Sequence, residues 1–225
     1  YIKDYLRCVA GVDDNVGRLL DFLDEDGSAN DTIVVYTSDQ GFFLGENGWF
    51  DKRWIDDASS RVPLLMEWRG HIRPGTVSDA LVQNIDFAPT LLDAAGVKPK
   101  TPMQGVSLLP LFKPQPKPWH RDLYYHFYEN PGFHGVTRHY GVITERYKLA
   151  YYYQNDEWEL FDRETDPADQ RNLYGKSGYD DITGDLKRRL QALRAQYQVP
   201  ETDPEAAWYH GAVVRALEQL MLWLF

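Results

Sequence analysis

The sequence predicts an α/β unit followed by a smaller antiparallel β-sheet with a packed helix. An amphipathic helical pattern over residues 1–26 leads through a short turn into an apolar run at residues 32–37. This order is typical of a parallel α/β sheet. Between residues 123 and 162, four aromatic-rich runs are separated by short turns, which indicates antiparallel hairpins.

The elements of the first half follow from residue spacing and turn residues. Apolar residues repeat every three or four positions in the first helix, which we expect to end at Gly27. The β-branched run Ile33-Val34-Val35-Tyr36 predicts a buried strand. A second strand is predicted at residues 62–68, and a short helix at residues 86–96 has Pro near its start and Gly at its end.

The second half contains the predicted antiparallel sheet. A Pro- and Lys-rich segment at residues 98–118 is the predicted connection, which gives units at 1–118 and 119–205. The later unit has predicted strands at 123–128, 140–144, 147–153 and 158–162 and a helix at 182–197. Residues 206–225 form an apolar helical pattern to which we assign no role.

Composition excludes several classes of function. The formal net charge is −10, which argues against a nucleic-acid partner and against anionic membrane surfaces. An anionic substrate therefore has to be bound by a local positive site. The single cysteine excludes an intrachain disulfide, and no apolar run is long enough to span a bilayer.

Polar residues with a common chemistry follow the first predicted strand. Asp39 and Gln40 lie where the strand ends, at the sheet edge where α/β folds bind ligands, and they offer two oxygen donors to a hard cation. Lys52 and Arg53 follow after a long glycine-containing loop. Cation-binding oxygens followed by a fixed positive charge suit an anionic ligand.

These residues belong to a recognisable pattern. The run TSDQGFFLGENGWFDKRW (residues 37–54) resembles the second metal-binding segment of the sulfatases, which belong to the alkaline-phosphatase-like superfamily. The resemblance continues, in the family's order, in CVAGVDDNVGRLLDFLDEDG, SRVPLLMEWRG, VQNIDFAPTLLDAAGV, MQGVSLLPLF, YGVITERYKLAYYY and WELFDRETDPADQRNLY. Several independent motifs make it specific.

The resemblance implies a fold and an activity. The fold is part of an alkaline-phosphatase-like α/β/α sandwich followed by the C-terminal sheet, and the activity is hydrolysis of a sulfate ester on a sugar or glycan. Asp39 and Gln40 match a metal-binding pair, usually for Ca²⁺, and Lys52 matches a lysine that contacts sulfate. A phosphoester or phosphonate hydrolase of the same superfamily, and a non-catalytic module that binds glycan or a partner, remain as alternatives.

The family's nucleophile has no counterpart in this sequence. Sulfatases use a formylglycine made from the Cys or Ser of a Cys/Ser-x-Pro/Ala-x-Arg motif. Cys8 lies in Arg7-Cys8-Val9-Ala10-Gly11, which does not match, and we expect it to be a buried apolar residue. We therefore expect the C-terminal portion of a sulfatase, inactive alone, with exposed apolar surface for a missing N-terminal half or for oligomers.

Other residues near the predicted site have open roles. His134, Arg138 and His139 suit contacts to a sulfated sugar, or else form a structural loop whose histidines bond to the backbone. Arg53 is expected to pair with Asp51, Asp56 or Asp57. Asn47 stands where many relatives have histidine, and asparagine does not titrate.

Overall fold

A computed structural model describes residues 1–113, 119, 121–130 and 134–203. Every helix and strand expected from the sequence within these residues is present. The elements are α1 (Ile2–Glu25), β1 (Ile33–Thr37), β2 (Phe43–Leu44), β3 (Phe50–Asp51), α2 (Asp57–Ser60), β4 (Leu64–Trp68), α3 (Phe87–Ala94), β5 (Leu123–Phe127), β6 (His139–Ile143), β7 (Tyr147–Tyr152), β8 (Glu157–Asp162) and α4 (Asp180–Gln196).

The C-terminal sheet has the order β5-β6-β7-β8, with every neighbour antiparallel. Val142, Leu149 and Leu160 lie side by side on three adjacent strands. They form a buried core with three leucines of α4, namely Leu186, Leu190 and Leu193. This alternation of apolar and outward residues confirms the predicted antiparallel sheet and its packed helix.

The opposite face of this sheet is covered by the loop between β3 and α2. Ile55 of that loop is completely buried against Ile143, Ala150 and Tyr152. A Cβ added to Gly141 would lie 2.4 Å from Ile55 Cδ1, closer than any real contact. Glycine in β6 therefore lets the loop approach the sheet closely, and the loop that carries Lys52 is fixed to the C-terminal part.

The first part of the chain is more open than the sequence suggested. β1 pairs with β4 in antiparallel register, and Val35 and Tyr36 are 36% and 39% exposed. The expectation of a buried strand in a parallel sheet is therefore wrong for the described residues, because no described layer covers β1. Cys8 is likewise exposed, since α1 has no buried residue.

An apolar surface lies along α1, as expected for a C-terminal sulfatase portion. Its large exposed residues are Ile2, Tyr5, Leu6, Val9, Val12, Leu19 and Phe22. No helix among the described residues has the length and apolar content needed to cross a membrane.

Polar contacts join the two parts of the chain. Asp86 is completely buried and accepts hydrogen bonds from Arg121 Nη1 at 2.5 Å and Val106 N at 2.9 Å. Trp119 Nε1 donates to the carbonyl of Leu81 at 2.9 Å. Residues 114–118, next to the predicted boundary, and the apolar tail at 206–225 lie outside the described residues, so the division into units stays a prediction.

Candidate functional site

The turn after β1 carries the two predicted metal ligands. Asp39 is exposed and Gln40 is half-buried, and Ser38 Oγ donates to the Gln40 carbonyl at 2.9 Å. The next amide, that of Gly41, donates to the Ser59 carbonyl at 2.7 Å. The turn is thus attached to α2 directly after Gln40.

Lys52 lies between two residues with unusual backbone angles. Asp51 has φ 88° and Arg53 has φ 91°, values that favour glycine and cost about 1–3 kcal/mol each in other residues. Such strain persists where surrounding contacts enforce it, and it concentrates at functional sites. Lys52 is half-buried, and its ammonium has no hydrogen bond or ion pair within the described part of the chain.

The two residues that flank Lys52 in the chain belong to a cluster of charged side chains. Arg53 Nη1 lies 2.5 Å from Asp51 Oδ2, which confirms the expected pairing of Arg53 with Asp51. His134 Nδ1 lies 3.2 Å from the same carboxylate oxygen, and Arg53 Nε lies 3.9 Å from Glu129 Oε2. The structure therefore brings His134 to Asp51, the residue that precedes Lys52 in the chain, and the substrate-binding roles of His134 and Lys52 stay predictions.

Arg138 and His139 lie elsewhere, although they are close to His134 in sequence. Arg138 Nη1 donates to Asp203 Oδ2 at 2.9 Å. His139 is completely buried, its Nδ1 lies 2.8 Å from the Thr137 carbonyl, and its ring stacks on Tyr152 at 4.8 Å. Burial lowers the pKa of His139 to about 4, so the ring is neutral. His139 matches the structural-loop alternative.

A buried lysine that sequence reasoning missed anchors α2 to the C-terminal sheet. Lys148 Nζ lies 2.7 Å from Asp57 Oδ1 and 2.6 Å from Asp169 Oδ2, and its side chain is completely buried. Arg163 Nη2 is 3.3 Å from Asp57 Oδ2. Burial alone would raise the pKa of Asp57, but the charges of Lys148 and Arg163 hold it below its ordinary value. The sequence signal that could have identified Lys148 is the presence of a lysine inside the apolar run of β7, because a buried charge requires a charged partner.

Asn47 has a structural explanation. Its φ is 56°, a left-handed conformation that asparagine tolerates better than most residues. Asn47 Nδ2 donates to the Ala168 carbonyl at 3.4 Å, and Gln170 Nε2 donates to Asn47 Oδ1 at 3.3 Å. The residue at the family's histidine position thus bridges two loops.

A cleft of about 770 Å³ opens between these loops and β8. Its lining includes Trp49, Trp54, Tyr152, Trp158, Asp56, Glu157, Glu159 and Asp169. Burial raises the pKa of Asp56 to about 6. Because all of its charged lining groups are carboxylates, the cleft offers no positive group to an anionic sulfate, and Lys52 is the better candidate for the sulfate contact.

The two predicted metal ligands fit a hard cation by their chemistry. Ca²⁺ takes six to eight oxygen ligands, from carboxylates, amides and waters, and Asp39 and Gln40 supply one carboxylate and one amide. Within the described ranges, no cluster of three or more His, Cys, Asp or Glu side chains is placed to hold a metal. These two residues are thus a minority of a complete coordination shell.

Comparison with known proteins identifies the family of this chain. Residues 45–196 match the family "N-sulphoglucosamine sulphohydrolase, C-terminal", which spans most of the chain. The chain belongs to this sulfatase family. It is also 44% identical over 209 residues to an N-acetylglucosamine-6-O-sulfatase from Bacteroides thetaiotaomicron, with 91% of this chain and 37% of that protein covered.

Solved structures of sulfatases share the fold. One is a complex with its substrate D-glucosamine-2-N,6-O-disulfate, at a TM-score of 0.87 and 44% identity, covering 91% of this chain and 42% of that one. A phosphonate monoester hydrolase of Agrobacterium radiobacter is more distant, at a TM-score of 0.71 and 25% identity, covering 84% of this chain and 40% of that one. This sulfatase chain thus spans about two fifths of these relatives, in their C-terminal part, and has the expected alkaline-phosphatase-like fold.

Proposed function

We propose that this chain is the C-terminal part of an enzyme that hydrolyses a sulfate ester on a glucosamine-type sugar. The observation that carries the proposal is that the Lys52 ammonium has no partner within the described residues, while the residues on either side of it in the chain, Asp51 and Arg53, pair with each other. The glucosamine specificity is supported by the two relatives above, which act on N-acetylglucosamine 6-O-sulfate and bind glucosamine disulfate by their names.

Lys52 is the proposed sulfate contact. In a chain of net charge −10, binding of an anion depends on a local positive group with no carboxylate partner. A fixed ammonium near the ester also stabilises the charge that develops on the bridging oxygen as the bond breaks. Its neighbours are already paired with each other, so they do not neutralise it.

His134 and Asp51 are the proposed contacts to the sugar ring. His134 keeps 35% and Asp51 keeps 40% of its side chain exposed, so both are able to reach a ligand. A carboxylate accepts hydrogen bonds from sugar hydroxyl groups, and an imidazole donates or accepts them. Arg138, which is 30% exposed and paired with Asp203, is a secondary candidate. We assign His139 to packing.

Asp39 and Gln40 are proposed as two ligands of a Ca²⁺ ion. When bound, the ion would polarise the sulfate oxygens and offset their charge. The formylglycine motif Cys/Ser-x-Pro/Ala-x-Arg does not occur in this sequence. The nucleophile is therefore supplied by a residue outside these 225 residues, and we expect no turnover by the chain alone.

The test is sulfate release by the protein expressed from its complete reading frame. We expect release from glucosamine 6-sulfate that stops with a chelator and returns with Ca²⁺. Release of phosphonate from a phosphonate monoester in preference to sulfate would favour the superfamily alternative. Glycan binding by the 225-residue chain without metal, combined with no hydrolysis, would favour the non-catalytic module.

A further inference from the structure

We propose that Ser59 is a positioning residue, which holds the Asp39–Gln40 turn and Lys52 in one fixed arrangement. The buried Lys148 fixes Ser59 in turn, by anchoring α2 to the C-terminal sheet. This role deepens the proposed sulfatase function and rests on it. Ser59 itself is not expected to touch the substrate.

Ser59 makes one hydrogen bond to each of the two functional segments. Its Oγ accepts the backbone N–H of Arg53 at 2.8 Å, directly after Lys52. Its carbonyl accepts the backbone N–H of Gly41 at 2.7 Å, directly after Gln40. Because Ser59 is only 3% exposed, water does not readily replace either bond.

The contact at Gly41 leaves no room for a side chain. A Cβ added to Gly41 would lie 2.2 Å from the Ala58 carbonyl oxygen, far closer than non-bonded atoms approach. The glycine is therefore required for this close backbone approach. It holds the Asp39–Gln40 turn against α2.

The contact at Arg53 counteracts backbone strain. The positive φ angles of Asp51 and Arg53 persist only when surrounding contacts enforce them. Both polar groups of the Arg53 backbone are held, because its N–H bonds to Ser59 Oγ and its carbonyl accepts the Tyr125 hydroxyl at 2.9 Å. Without the Ser59 hydroxyl, the segment is free to relax and to move Lys52.

The C-terminal sheet keeps Ser59 itself in place. Asp57 begins α2, two residues before Ser59, and its backbone N–H donates to Asp169 Oδ2 at 3.1 Å. Its carboxylate is paired with Lys148 at 2.7 Å and with Arg163 at 3.3 Å. Through these contacts, the sheet determines where the two functional segments lie relative to each other.

The kinetic test uses Ser59→Ala and the size-matched Ser59→Cys, whose thiol is a weak acceptor. Ser60→Ala is the matched control, because Ser60 Oγ bonds within the same loop, to the Ile55 carbonyl at 3.0 Å. In the protein from the complete reading frame, we expect both Ser59 variants to lower kcat by about tenfold or more with little change in KM. Ser60→Ala should leave kcat within about twofold of the unmodified enzyme. A lower kcat with nearly unchanged KM in the Ser59 variants is the result expected of a positioning role.

Amide hydrogen exchange on the 225-residue chain gives a readout that is independent of activity. In Ser59→Ala, the Arg53 amide should exchange faster than in the unmodified chain, while the Gly41 amide stays protected because the Ser59 carbonyl remains. Ser60→Ala should change neither amide.

Two results would overturn the proposal while leaving the sulfatase assignment intact. One is a folded Ser59→Ala or Ser59→Cys enzyme with unchanged kcat, and the other is an Arg53 amide whose exchange does not respond to Ser59→Ala. Absence of sulfate release from the unmodified protein would instead refute the proposed function, and the role of Ser59 in hydrolysis would fall with it.

Discussion

His134 Nδ1 lies 3.2 Å from the carboxylate of Asp51, so a residue of the C-terminal part meets the segment that carries Lys52. We predict that His134→Ala raises KM for a sulfated glucosamine about tenfold or more, because one hydrogen bond to the sugar and the orientation of Asp51 are lost. Steady-state kinetics on the protein from the complete reading frame measure this. His71→Ala, which changes a histidine stacked on Trp68, is the control, and an equal effect there would contradict the assignment.

The buried Lys148 gives a second prediction, which concerns the stability of the chain. We predict that Lys148→Met destabilises the chain by about 3–5 kcal/mol, because it leaves the buried Asp169 without its charged partner and leaves Asp57 with Arg163 alone. The control is Arg188→Ala, because the side chains of Arg188 and its partner Asp185 are 74% and 51% exposed, and for it we expect at most about 1 kcal/mol. Urea unfolding measures both, and similar losses in the two variants would show that Lys148 does not anchor α2.

Acid sensitivity follows from the buried histidines. Burial lowers the pKa of His126 and of His139 to about 4, below the value of about 6.5 in an unfolded chain. The unfolded state therefore binds more protons, and stability is present above pH 6.5 and is lost as the pH falls towards 4. We predict that His139→Phe, which keeps an aromatic ring in the stack, removes up to about 3 kcal/mol of this loss.

Urea unfolding of the wild-type chain and of His139→Phe at pH 7, 5.5 and 4 tests this prediction of acid sensitivity. Asp56 acts in the opposite direction, because its pKa of about 6 makes the folded state bind more protons between pH 4 and 6. The difference between wild type and His139→Phe cancels that contribution. Parallel pH profiles for the two proteins would show that His139 does not titrate with folding.

The exposed face of α1 predicts association of the isolated chain. Leu19 is 65% exposed and Phe22 is 58% exposed, on a helix with no buried residue, and such surfaces promote contacts between molecules. We predict that the chain forms concentration-dependent oligomers, and that Leu19→Glu with Phe22→Glu shifts them to monomer without lowering Tm. Sedimentation velocity measures this, with Arg18→Glu as control. A monomeric wild type would favour a self-contained binding module.

Local patterns predicted the C-terminal sheet well. Each of the four predicted strands starts within one residue of the observed strand, because alternation and short turns depend on neighbouring residues. The exposure of β1 was not predictable in this way. The apolar content of a strand indicates that its burial is favourable, but it does not show which element covers the strand.

The site was predictable where a motif carried it. Asp39, Gln40 and Lys52 were singled out from one run, and the structure connects their segments through Ser59. Sequence proximity grouped His134 with His139, yet His139 begins β6 and points into the core while His134 stays at the surface. Lys148 was missed because its partners Asp57 and Asp169 are distant in the chain, and Ser59 was missed because no periodic pattern or motif indicates its hydrogen bonds to Arg53 and Gly41.

The most direct test of Lys52 as the sulfate contact is sulfate release from glucosamine 6-sulfate by Lys52→Ala in the protein from the complete reading frame. We predict a loss of kcat/KM of about a hundredfold or more, since one electrostatic contact to the transition state is removed. Lys52→Arg should recover part of it, and Lys100→Ala, at an exposed position, should match wild type. Wild-type release by Lys52→Ala would contradict the assignment.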